Sequence, residues 1–223
     1  MKRSVIKANR AIWQRRLDNR AAKLARMAAA KRPAKVIAKQ QYKVKVAAAN
    51  RNKWQLRLDK APLPLRLRAW HIAGTYVGTI EHGGNNRGKV VEQIIHANGG
   101  APGEPWCGDF DAFVYRLAGS KAVSRSWAAV RSFWGRLAGV AIISAAKARM
   151  GDIVTFTFEH TGLFGYWCDH QGRKCDRSVA THIFTREGNT GAIGDVSDSA
   201  EGDGVKEKVR AIGLIKTFNH VSR

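Results

Sequence analysis

From Val5 to Ala30 single apolar side chains are spaced among bases, and Trp13, Leu17, Ala21, Leu24 and Ala28 recur at steps of three and four. That period lines them along one face of a helix and leaves the other faces cationic. No Gly or Pro interrupts the stretch before Pro33, and its abundant Ala, Arg and Lys favour helix. Between Pro33 and Lys60 the pattern weakens, with Val36, Ile37, Tyr42, Val44, Val46, Trp54, Leu56 and Leu58 scattered among bases. This segment reads as a helical or disordered arm. Ala61-Pro62-Leu63-Pro64 follows as a stiff connector, since each proline fixes its own φ and pushes the preceding residue out of helix. The expected division is therefore an arm and linker over 1–64 and a folded domain over 65–223.

Helical spacing returns from Leu65 to Glu81 (Leu67, Trp70, Ala73, Val77, Ile80) and stops at a Gly/Asn cluster. A second helix is expected over Gly88–Asn98, then a Pro- and Gly-containing loop over 101–106. Phe110, Val114, Leu117 and Ala118 then repeat with Cys107 as one buried face, predicting a helix over 107–118. Residues 126–138, with Trp127, Phe133 and Trp134, read as a further helical stretch. Beyond Met150 the period becomes two, and strands are expected over 152–158, 160–167, 179–186 and 209–218. Helices first and strands afterwards predict an α+β domain with a mainly antiparallel sheet.

The net charge of +22 over 223 residues sharpens the division. Residues 1–70 hold 21 Lys/Arg against only Asp18 and Asp59, a net of +19, and residues 71–223 hold 18 against 15 acids, a net of +3. The basic character belongs to one segment. With 44% hydrophobic residues the chain can build a core, and no run of 18 apolar residues predicts a membrane span. The apolar stretch after Lys2-Arg3 is broken by Lys7, Arg10, Arg15 and Arg16, so no secretory signal peptide is expected. Three cysteines are an odd number, which leaves at least one thiol free or paired between chains.

Cys107 is the thiol with a chemical position. At the first turn of a helix, unpaired N–H groups and the positive end of the helix dipole favour a sulfur anion and suit an oxyanion. Such a nucleophile needs a base, and the base an orienting group. His160 opens a strand and is the base candidate; Glu187 and Asn189, at the end of the next strand, offer a carboxylate and an amide to hold the imidazole. His182 competes for the role of base. Burial of a cysteine on an apolar helix face is the competing reading of Cys107.

The ordered series Glu81, Asn85-Asn86-Arg87-Gly88, Pro105-Trp106-Cys107-Gly108-Asp109-Phe110, Gly151 to Phe156, His160 to Phe164 and Glu187-Gly188-Asn189-Thr190 resembles the CHAP family (cysteine, histidine-dependent amidohydrolase/peptidase). These are papain-like peptidoglycan hydrolases of the phage endolysin type. The resemblance spans residues 70–218. It implies Cys107 as nucleophile, His160 as base, Glu187 and Asn189 as the orienting pair, and amidase or endopeptidase action on bacterial peptidoglycan. It also implies synthesis in a host cytoplasm, with action on the wall after release or from a virion. Asp109 is frequent at its position in such domains. Two features depart from the family: the loop between His160 and Glu187 is long, and Asp111 stands where an apolar residue is common.

No cofactor is expected. Cys168 and Cys175, with His170 or His182, are open to zinc, a disulfide or plain thiols, and Glu104, Asp109 and Asp111 are the weak calcium candidates. Asp195, Asp198, Glu201 and Asp203 read as a solvated acidic connector. The arm over 1–60 suits a polyanion: the anionic cell envelope or a membrane surface first, nucleic acid as the alternative, a solvated linker as the bland reading. In the rival functional reading the arm serves a virion or nucleic-acid-binding protein whose papain-like domain is accessory. A monomer is expected.

Overall fold

The structure is a computed structural model and describes residues 3–30, 32–60, 62–191 and 202–222. The chain forms two compact units, Met1–Leu63 and Pro64–Arg223. In the first, α1 (Arg3–Ala29) and α2 (Ala34–Lys60) form a helical hairpin. Trp13, Leu17, Arg20, Leu24 and Met27 are among the covered positions along α1, and Ile37, Gln40, Val44, Ala47, Arg51 and Trp54 among those along α2. Steps of three and four on both helices are the seam of an antiparallel coiled pair. Ala21 and Ala28, expected on that face, are exposed; the seam runs one position earlier, through Arg20 and Met27. Gln40 Nε2 donates to Arg20 O (2.9 Å), and Arg20 Nη1 donates to Lys43 O (2.9 Å). Among the described residues of the two helices only Ile6, Gln40 and Ala47 are buried outright, and most of the described bases are exposed.

The second unit is α+β. Helices α3 (Leu65–Tyr76), α4 (Lys89–Ala97) and α5 (Cys107–Leu117) precede six strands: β1 (Val140–Ile143), β2 (Ile153–Phe156), β3 (Thr161–Cys168), β4 (His182–Thr190), β5 (Gly204–Ala211) and β6 (Ile215–Val221). They form one antiparallel sheet in the order β1-β6-β2-β3-β4-β5. One core lies between helices and sheet, where Trp70, Ile94, Phe110, Val114 and Tyr115 meet Ile153 and Leu163. A second covers the other face around Val154, Phe164, Ile183 and Phe218. Arg186 of β4 ties α3 to the sheet: its guanidinium lies 4.1 Å from the Trp70 ring centroid and donates to Trp70 O and Glu207.

Three expectations need correction. Helix α3 stops at Tyr76, not Glu81, because Gly78 turns left-handed (φ 92°) and Ile80 bridges to Gly204 at the sheet edge. Residues 126–138 hold two 3₁₀ turns, Arg125–Ala128 and Val130–Trp134, whose Trp127 and Phe133 pack inward on Tyr115 and each other, and the short edge strand β1 follows. The stretch 209–218 is not one strand. β5 pairs with β4 at one edge, a 3₁₀ turn at Ile212–Leu214 interrupts the stretch, and β6 lies between β1 and β2.

Candidate active site

The loop before Cys107 is clasped before the helix begins. The Trp106 indole is fully buried and its Nε1 donates to Glu81 Oε1 (2.9 Å); Glu81 Oε2 accepts the Asn86 N–H (2.8 Å). Asn86 adopts a left-handed conformation (φ 56°) and exchanges hydrogen bonds with Gly103, so the two loops are laced together. Trp106 then stands at the N-cap with no side-chain cap, which leaves the first-turn N–H groups of α5 without an intrahelical partner around Cys107. Gly108 allows close approach: a Cβ there would lie 2.2 Å from Trp127 O. Cys107 retains 4% exposure.

His160 stands between β2 and β3, after Glu159, a non-glycine residue at φ 57°, and is fully buried. Its ring stacks on Phe158 (centroids 5.8 Å apart, 10° between planes). Nε2 lies 3.0 Å from Glu187 Oε2, which fixes the ring and assigns that nitrogen to the carboxylate. Nδ1 makes no regular hydrogen bond, and Cys107 is near enough to act on the ring. Burial works against a charged ring, but Cys107, followed by Glu187, outweighs it and raises the His160 pKa to about 9.

Glu187 is held from every side. Thr185 Oγ1 donates to Oε1 (2.5 Å), Thr190 Oγ1 to Oε2 (3.3 Å), and Arg210 of β5 donates to both oxygens, closest at 2.7 Å. Burial alone would neutralise this carboxyl; the His160 hydrogen bond and charge, then Arg210, hold it far below the usual carboxylate range. The Arg210 guanidinium also faces the Phe156 and Phe158 rings, 5.6 and 5.2 Å from their centroids. Gly188 lets β4 press on α5, since a Cβ there would lie 2.5 Å from Phe110 Cβ. Asn189 is buried at φ 53°, its Oδ1 accepting the Gly202 N–H (3.4 Å). Of the two orienting candidates, Glu187 is the one bonded to the imidazole.

The remaining candidates fall elsewhere. His182 opens β4, half-buried, with Nδ1 on Thr181 Oγ1 (2.8 Å). Asp109 is buried on α5 and accepts from Asn98 (2.7 Å) and Arg125 (3.2 Å), bracing the helix start; Glu104 shares Arg125. Asp111 is fully buried and faces Thr161 (2.8 Å). Asp109 and Glu104 thus share one arginine, and Asp111 has a different partner. Cys168 and Cys175 are free thiols and neighbours: burial first, then Cys175 and Asp169, push Cys168 up to about 11. Among the described residues no three His, Cys, Asp or Glu side chains are grouped to hold a metal. Asp195, Asp198 and Glu201 lie outside the described residues, and Asp203 pairs with Lys206.

Arg210, Thr185 and Thr190 are the site residues that periodicity did not reveal. A signal existed in β5, where Lys208 and Arg210 face inward and Val209 faces solvent, the reverse of an ordinary strand. No family model matches the chain, and neither the curated proteins nor the solved structures provide a match.

Proposed function

We propose that this protein is a cysteine-dependent amidohydrolase or peptidase acting on bacterial peptidoglycan, of the papain-like CHAP type. The observation that carries the reading is the buried chain Cys107, His160, Glu187, with one imidazole nitrogen left for the sulfur and the other bonded to an anchored carboxylate. In the reaction His160 takes the thiol proton and the Cys107 sulfur attacks the carbonyl of an amide bond. The first-turn N–H groups of α5 donate to the resulting oxyanion. Imidazolium returns the proton to the departing amine, leaving a thioester; water, deprotonated by His160, then releases the acid and restores the thiol. No metal is required by these steps. Either an amidase cut at the glycan junction or an endopeptidase cut within the peptide fits the same groups.

The cationic hairpin, in this reading, draws the enzyme to the anionic envelope. The rival, a nucleic-acid or virion-binding protein with an accessory domain, draws on the same density of bases. Incubating the full chain with purified cell walls and sizing the products by mass spectrometry separates them. New amino or carboxyl termini are expected from the wild type and none from Cys107→Ala; equal release by that variant ends the proposal.

A further inference from the structure

The reaction above leaves one buried acid beside the site unused. Asp111 lies one helical turn beyond Cys107 on α5, fully buried, with Oδ2 2.8 Å from Thr161 Oγ1 and Oδ1 without a partner. Thr161 follows His160 directly, and its Oγ1 also lies 3.1 Å from the Val154 carbonyl. A threonine hydroxyl has one hydrogen, and a carbonyl oxygen and an ionised carboxylate both only accept. With Asp111 ionised, one of the two contacts sets acceptor against lone pair. A neutral Asp111 resolves both: the acid donates to Thr161 Oγ1, and Thr161 donates to Val154 O. The titratable groups that act on Asp111 are His160, at the start of β3, and Glu187 on β4, with Tyr115 a neighbour on its own helix. Burial first raises its pKa to about 8; Thr161 and His160 oppose the shift and the Glu187 charge adds to it.

Resting on the hydrolase reading of Cys107 and His160, we propose that Asp111 is a positioning residue. As a neutral acid it donates to Thr161, and through that hydroxyl it holds the first residue of β3, and so His160, against the helix that carries Cys107. Losing its proton turns Asp111 from donor to acceptor, breaks the Thr161–Val154 link and sets a second negative charge near the reactive sulfur. The competent form is the one protonated at Asp111, and nucleophilic power falls as Asp111 loses its proton.

The test is the rate of Cys107 alkylation by iodoacetamide in the full chain, read by peptide mapping across pH, for the wild type, Asp111→Ala and Asp111→Asn. At neutral pH the alanine variant is expected to react about tenfold more slowly, and the asparagine variant, whose amide still donates, to recover most of that loss. The asparagine profile is also expected to lose the wild-type inflection near pH 8. An unmoved inflection, or an alanine variant as fast as the wild type, overturns the proposal and leaves the hydrolase reading standing. A wild-type Cys107 no faster than Cys168 and Cys175 sinks the hydrolase reading and the proposal with it. Should either variant fail to fold, infrared spectra of the wild type between about pH 6 and 9.5 still decide, because a buried neutral acid shows a protonated-carboxyl band that disappears over that range. Absence of the band at neutral pH overturns the proposal.

Discussion

At the scale of single residues, the site is a relay in which each charge is stabilised by the next. Cys107 raises the His160 pKa, Glu187 raises it further, and His160, followed by Arg210, keeps Glu187 ionised. Glu187→Gln keeps the shape and removes the charge. Turnover of wall substrate is expected to fall by roughly 10²–10⁴, in the range seen when an orienting carboxylate becomes an amide. Because the Glu187 charge raises His160, the alkaline limb of the rate profile should also move to lower pH. Arg210→Met leaves a buried carboxylate without its cation, and denaturant unfolding should report a loss of about 3–5 kcal/mol. Combining the two substitutions should cost less than their sum, since each removes the other's partner. Additive losses would show that Arg210 does not act through Glu187.

At the scale of elements, the site depends on how closely α5, β3 and β4 approach. Gly188 lies against Phe110 of α5, and a Cβ on Gly162 of β3 would lie 2.5 Å from Glu187 Cγ. Gly188→Ala is expected to cost about 1–3 kcal/mol by overpacking. It should also reduce activity more than a distant substitution of equal cost, because Glu187 and Asn189 flank the displaced position. A thermal melt and a turnover assay on the same variant separate the two effects. The extent of α4 was legible in the Gly and Asn residues that flank it, and that of α5 in the repeat of Phe110 and Val114, both fully buried. Residues 126–138 were not legible: their aromatics satisfy a helical period, yet they fold as 3₁₀ turns with Trp127 and Phe133 packed inward. Apolar spacing records which residues are inside, and short segments meet that need in more than one backbone form.

At the scale of the whole molecule, the two units carry different physical chemistry. In the α+β unit His160 is raised from 6.5 to about 9 and Asp111 from 3.8 to about 8, so the folded state holds protons that the unfolded chain releases. Their contribution is present at lower pH and is lost as pH rises, His160 between about 6.5 and 9 and Asp111 up to about 8. Glu187 acts in the opposite sense, its contribution present above about 4.5 and lost as pH falls. Melting temperatures should therefore decline from neutral pH to about 9, and the decline should be smaller in Asp111→Asn; a flat profile would contradict the buried-proton assignment. The proposed attraction of the hairpin to an anionic wall polymer should weaken steeply with salt, as expected of exposed charges at a screening length of about 8 Å. Sedimentation with purified walls across a salt series measures it, and salt-independent binding would rule out charge as the cause.

Local chemistry in the chain was enough for the α+β order, the helices around Cys107 and the segregation of charge, because each rests on periodicity or composition. Tertiary structure alone decided that Glu187 is the group bonded to the imidazole, that Arg210 anchors it from 23 residues away, that β6 lies between β1 and β2, and that Asp111 meets Thr161. Those outcomes depend on strand order and side-chain direction, and two residues distant along the chain acquire a common fate only when the sheet brings them to one place.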